Sequence, residues 1–441
     1  MTAFSALIAA TRFGFAARPG ELQTLAQDPR GAVLKQLSGP PPALAGDLPT
    51  GTGMTALFLQ SIRDKRAPQD RKEFNQRVNQ VYFTEIEARL DAAVTSERPY
   101  VERLVHFWSN HFTVSARRPF IRGIAGAYER EAIRPHVLGR FSDMLLAVES
   151  HQGMLLYLDN AQSIGPDSQA GMRSGRGLNE NLGREILELH TLGVDGGYTQ
   201  DDVEALARIL TGWSIARPQE PAPGSFRFRP FAHEPGAKTL LGKRYAEGGQ
   251  SEGIAALADL AVHPATARHV ARKLAAHFIA DNPPPDAVDR IAKRFLESGG
   301  DLRHVSEGVA REEAAWRGPF AKVRSPADLA IAACRVTGVA PRGQQWAQSL
   351  RMLDQLPFYA PQPSGWPDDA ASWVSPEAVL RRAQWCEAFA NRMPDTIDPA
   401  ALANASLGDA APAEIVDAIA HAPSRRDGVA LLLASAEFQR R

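Results

Sequence analysis

The stretch LNENLGREILELHTLGVDGGYTQDDVEALARILTGW, Leu178–Trp213, decides the fold class, because it carries two helical signatures around a single turn. In the first, Leu182, Ile186 and Leu189 recur at helical spacing and share a face, which predicts a helix from Leu178 to Leu192 that stops at Gly193. In the second, Thr199 followed three residues later by Asp202 reads as a capping box, with Val203, Leu206, Ala207 and Leu210 repeating behind it. Glu204 and Arg208 are placed to pair one turn apart.

The same periodicity extends in both directions. Helices are expected over Phe4–Phe15, across Met54–Val94, over Val101–Phe112 and over Ala125–Arg134, with Phe141–Asp159 split near Gly153. Further helices are expected from Ser251 to the C-terminal region, including Pro264–Ile279. Phe226, Phe228 and Phe231 alternate loosely with arginines, so 216–248 reads as an extended excursion carrying at most a minor β hairpin. Ser163–Gly177 is rich in glycine and serine, which makes 161–178 a candidate flexible insertion or lid. The fold expected is all-α or predominantly α: a large multi-helix globular body with long loops, spanning 1–441 as one domain.

The 441 residues include 44% hydrophobic side chains, with 19 Phe and 7 Trp, enough to build a core without metals or disulfides. Lys plus Arg and Asp plus Glu both total 50, so no global field draws the chain to nucleic acid. Cys334 and Cys386 are too few and too far apart for a disulfide framework or a metal knuckle, and read as buried thiols. No apolar run is long enough for a membrane span and no export leader is recognisable, which gives a cytoplasmic expectation.

Several polar groups could carry chemistry. His106 and His111 flank Trp108 on the Val101–Phe112 helix; imidazoles there can move protons or bind a metal, and the same helix turned inward makes them core residues. Glu180, Arg184 and Glu188 form a row in which one guanidinium can bridge two carboxylates. Glu185 flanks the apolar face one turn after Asn181, a position for a base, an acid or an oxygen ligand with an amide beside it. His190 either faces the same interior or closes its helix end, and His233 can join a distributed site. His269, Lys273 and His277 stand at successive helical turns, suited to a phosphate or an acidic partner, or simply to a solvated face. Trp366 and Trp373 in the Pro357–Pro376 loop suggest contact with a polyanion or a glycan.

Other motifs fail on inspection. Asp195–Asp202 lacks the first oxygen ligands of a calcium loop, and His233-Glu234-Pro235 lacks the second histidine of a zinc peptidase, with a proline in its helix. A phosphate loop, a dinucleotide fingerprint and a serine elbow are all missing.

Taken in order, TRFGF (Thr11–Phe15), FWSNHFTVS (Phe107–Ser115), LYLDN (Leu156–Asn160), NENLGREILELHTLG (Asn179–Gly193) and GGYTQDDVEALARILTGW (Gly196–Trp213) form a recognisable series. HEPGAKTLLG (His233–Gly242), HPATARHVARKLAAHF (His263–Phe278) and GWPDDAASWVSP (Gly365–Pro376) continue it. Together they resemble the DUF1800 family of bacterial proteins. That resemblance implies a large helical protein, often encoded beside an alkaline-phosphatase-superfamily-like partner that is commonly exported, so that partner-assisted passage to the periplasm is compatible with it. It assigns no catalytic residues, but it adds weight to His106, His111, Asn181 and Glu185. The leading expectation is an accessory protein that binds such a partner. The competing one is a metal-assisted hydrolase with catalytic Glu185, His106, His111 and Asn181, and with a divalent metal on His106, His111, Glu185 and His233.

Overall fold

A computed structural model describes residues 2–63, 68–175, 177–408 and 411–441. Helices make up 61% of it and strands 4%, so the fold is predominantly α. The Thr199 capping box forms on both sides: the Asp202 N–H donates to Thr199 Oγ1 at 3.2 Å, and the Thr199 N–H donates to Asp202 Oδ2 at 2.9 Å. The second carboxylate oxygen of Asp202 accepts from the Leu241 N–H at 2.7 Å, which ties the excursion to this helix.

That excursion holds two antiparallel hairpins rather than one. Trp213–Ile215 pairs with Phe226–Phe228, and Lys238–Leu240 pairs with Lys243–Tyr245. The second turns through Leu241 and Gly242, both at positive φ, as a tight hairpin of right-handed strands requires. The described part of 161–178 is folded: Ser168 caps a helix at Gln169–Ser174, and the Asp167 N–H donates to Glu234 at 3.0 Å. Arg176 of that stretch, and residues 64–67 of the expected Met54–Val94 helix, lie outside the described residues.

Three of the described helical segments open from α to π spacing. Ala9–Phe13, Glu129–Ile133 and Ile186–His190 are π turns, the last following a short α segment at Asn181–Glu185. The helix predicted from Leu178 therefore begins three residues later and changes pitch after Glu185. A π turn inserts one residue, so every side chain beyond it is rotated by roughly 100° from its α position. The break expected at Gly153 falls at His151, whose Nδ1 accepts from the Gly153 N–H at 3.0 Å and so caps the second helix. Arg184 bonds Glu180 and Gln200, and its expected bridge to Glu188 is not among the ion pairs of the described residues.

Two apolar cores organise the chain. One gathers Phe13, Tyr100, Trp108, Phe141, Trp213 and Phe278. The other gathers Phe15, Tyr82, Leu329, Trp346, Trp385 and Phe438, and encloses both free cysteines. Phe358 packs against both. Among the described residues no helix is long and apolar enough to cross a membrane.

Candidate functional site

A cavity of about 640 Å³ opens beside Phe358, along the seam between the two cores. Most of its wall comes from three segments, the Pro99–His111 helix, the Pro264–Phe278 helix and the loop from Pro357 to Asp368, with Ser325–Asp328 at one end and Arg89, Val114 and Tyr128 reaching in from neighbouring segments. The first helix buries Tyr100, Val101, Leu104 and Trp108 in the core, which turns Arg103, His106, Asn110 and His111 to the cavity wall. His106 and His111, about 140° apart around the helix, both line the one cavity.

The loop is fastened at both ends. The Asn110 side chain makes two hydrogen bonds to the main chain of Trp366, donating to its carbonyl and accepting from its N–H, each at 2.8 Å. Tyr82 donates to the Pro357 carbonyl at 2.9 Å, and Ser115 to the Ala360 carbonyl at 2.7 Å. Phe358 is held at φ 57°, a left-handed conformation that costs an aromatic residue energy and that clusters at functional sites. Gly365 sits at φ 85°, where a Cβ would overlap the Asn110 carbonyl oxygen. Gly365→Ala is therefore expected to cost about 1–3 kcal/mol and to loosen this loop, read as a lowered midpoint in urea denaturation; an unchanged midpoint would show that the clamp is slack.

A charge network adjoins the cavity, with Arg103, His277, Asp328 and Asp368 among the residues that line it. Asp368 Oδ2 accepts from His277 Nδ1 at 2.7 Å, and its Oδ1 lies 3.4 Å from Arg441 Nη2 and 3.8 Å from Lys322 Nζ. Arg103 Nη1 donates to Asp328 at 3.0 Å, and Arg441 Nε lies 3.3 Å from the same carboxylate without the alignment of a hydrogen bond. Lys322 is further held by Asp281 at 2.5 Å. For both aspartates burial alone would favour the neutral acid, but it is outweighed: His277, Lys322 and Arg441 hold Asp368 well below the usual carboxylate range, and Arg103 and Arg441 hold Asp328 below it. Burial holds His277 down to about 4, against the pull of Asp368. The pair is then a neutral imidazole donating to a carboxylate, which leaves His277 Nε2 as a bare acceptor.

Other groups on the wall are also left without protein partners. His111 Nε2 faces the His190 carbonyl at 3.1 Å and must donate to it, so its buried Nδ1 is a bare acceptor. His106 Nε2, Arg103 Nη2, Trp366 Nε1 and His277 Nε2 are likewise buried without a hydrogen-bond partner. Burial pushes both His106 and His111 well below the ordinary imidazole value. Lys273, one turn before His277, has no hydrogen bond or ion pair among the described residues, and burial pulls it to about 8 with Asp368 opposing. Buried polar groups in native proteins are nearly always satisfied, and five of the residues with an unpartnered buried side-chain atom, Arg103, His106, His111, His277 and Trp366, line this one cavity.

The remaining sequence candidates lie elsewhere. Asn181 is exposed at a helix start, and Glu185 is half-buried, its carboxyl raised by burial against the pull of His190. Neither lines the cavity. His190 does face the interior, paired with fully buried Glu149 at 2.8 Å. His233 belongs to a separate cluster on the hairpins, with Glu252 at 3.1 Å and the Thr211 carbonyl at 2.9 Å. Among the described residues no three His, Cys, Asp or Glu side chains gather in a way that could hold a metal ion, so His106, His111, Glu185 and His233 do not form one coordination sphere.

Residues 8–440 match the family described as "Protein of unknown function (DUF1800)", nearly the whole chain. The chain belongs to the DUF1800 family. No curated protein and no solved structure matches it. Three of the DUF1800-like motifs, FWSNHFTVS, HPATARHVARKLAAHF and GWPDDAASWVSP, turn out to supply the cavity walls, although the first and last are some 250 residues apart in the chain. Sequence reasoning singled out His106 and His111 and noted Lys273, His277 and Trp366. It missed Arg103, Asn110, Asp328, Asp368 and Arg441, of which only Asn110 and Asp368 sit inside a motif.

Proposed function

We propose that this DUF1800 protein binds a small anionic organic molecule in the cavity, with its acidic group against Lys273 and Arg103, and acts on it with His277 as an acid–base group oriented by Asp368. One observation carries the reading: one turn apart on the same helix, both lining the cavity, stand an ammonium with no hydrogen bond or ion pair among the described residues and an imidazole whose Nε2 has no hydrogen-bond partner there. A carboxylate-backed imidazole is the commonest device for proton transfer near neutral pH, and a partly desolvated cation is the commonest anchor for an acid. The strained Phe358 and the two-point clamp from Asn110 give the site the rigidity that such chemistry needs. This reading takes precedence over partner binding and over a metal-assisted hydrolase because the cavity offers specific groups with a defined chemistry.

The test is ligand-observed NMR and thermal shift with acetate, lactate, pyruvate, inorganic phosphate and phenyl phosphate. At least one is expected to bind stoichiometrically, and Lys273→Met to weaken it about 10- to 100-fold, the worth of a charged hydrogen bond. Equal affinity in a folded Lys273→Met variant, or no binding by any member, would overturn the reading.

A further inference from the structure

Lys273, half-buried on the cavity wall, stands apart from the cations of the charge network. Arg103 is matched by Asp328, Arg441 by Asp328 and Asp368, and Lys322 by Asp281 and Asp368. Asp368, the carboxylate whose charge acts on Lys273, already serves His277, Lys322 and Arg441. Lys273 alone in this set has no carboxylate of its own among the described residues. If it were only an anion anchor, an arginine with its fixed fork would serve better and could not lose its charge. What a lysine adds is an amine that can be deprotonated and can form a bond.

The surroundings suit that use. Val270, Leu274 and Phe278 of the same helix are buried in the first core, so the helix and the root of the lysine stem are fixed. Burial brings its proton affinity down to about 8, so a usable fraction is neutral amine near neutral pH. His277, one turn on, presents its bare Nε2 to take a proton, and Arg103 Nη2 is free to donate to a carboxylate.

We propose that Lys273 captures a small 2-oxo carboxylate in the cavity as an imine. This inference rests on the anion-binding reading above and adds the substrate class to it. The ammonium first gives a proton to His277; the neutral amine nitrogen then attacks the carbonyl carbon, the carbon–oxygen π pair moves to oxygen, and a second proton passes from that nitrogen to the new alkoxide to make the carbinolamine. The protonated imidazole gives up its proton to the hydroxyl of the carbinolamine, which leaves as water as the carbon–nitrogen double bond forms. Nothing is oxidised or reduced. The positive charge passes from the ammonium to the imidazolium and then to the product iminium, so the cavity keeps a counter-charge for the ligand carboxylate throughout.

The experiment incubates the full chain with pyruvate and sodium cyanoborohydride and maps the reduced adduct by peptide mass spectrometry, with lactate, which has no carbonyl, as the control. One adduct on Lys273, absent from Lys273→Arg and formed about 100-fold more slowly in His277→Asn, is the expected result. Mapping the adduct in the wild-type chain keeps the test valid even if a variant fails to fold. Adducts scattered over surface lysines at equal rates, or none on Lys273 while pyruvate and lactate bind alike by NMR, would overturn covalent capture and leave the anion-binding reading standing. Absence of any binding by pyruvate, lactate and the other acids would instead remove the reading beneath it.

Discussion

Arg441→Met is expected to destabilise the protein by about 3–5 kcal/mol, the usual cost of leaving buried charges uncompensated. Arg441 is 2% exposed, and its guanidinium serves Asp328, Asp368 and the carbonyl of His277 at once, the last at 2.8 Å. Methionine fills much of the same volume, so the loss reports charge and hydrogen bonds more than a void. Without Arg441, Asp368 keeps the His277 hydrogen bond and Lys322 but loses one of its two cationic neighbours, and Asp328 is left with Arg103 as its one ion-pair partner among the described residues. The fixed orientation of the imidazole should slacken with it, visible as broadening of the His277 ring resonances. Urea denaturation measures the stability term, and a loss under about 1 kcal/mol would show that the network tolerates the missing cation. Arg441→Lys, which keeps the charge but not the fork, is expected to lose an intermediate amount.

Acid is expected to unfold the protein well before its aspartates protonate. His277 has a folded value near 4 against an unfolded value near 6.5, and His269 is shifted the same way by burial. Between those values the unfolded chain binds protons that the folded chain refuses, so stability is full above the unfolded value and falls as pH drops toward the folded one. For His277 alone the loss is about 3 kcal/mol, and His106 and His111, also pushed down by burial, add to it. Asp328 and Asp368 begin to contribute only at lower pH, because their folded forms hold on to their charge. Urea midpoints at about pH 7.5 and about pH 5 test this, and His277→Asn should flatten part of the slope whatever its effect on absolute stability. A flat profile across that range would mean that these imidazoles are protonated in the fold.

What could be read from the sequence divides along a physical line. The Thr199–Asp202 cap and the spacing of Val203, Leu206 and Leu210 are local, and local chemistry was enough to place that helix. The π turns are set by tertiary packing: nothing within Ile186–His190 distinguishes it from an ordinary α turn, yet the extra residue moves His190 to buried Glu149 and leaves Glu185 at the margin. The row His269, Lys273, His277 was visible as a polar face, but a face toward solvent and a face toward an internal cavity have the same periodicity. Only packing against the Pro99–His111 helix and the Pro357–Asp368 loop separates them. Asp328, Asp368 and Arg441 were invisible because each is an ordinary charged residue until the fold brings its partner across a long separation.

The position of the cavity has a consequence for the whole molecule. Phe107, Val114 and Tyr128 come to it from one core, Ala327 rests on the other, and Phe358 touches both. A molecule held there would act as a keystone: neither half could part from its neighbour without releasing it. Affinity for the occupant and cohesion between the halves would then be two measurements of one free energy, made once by titration and once by unfolding.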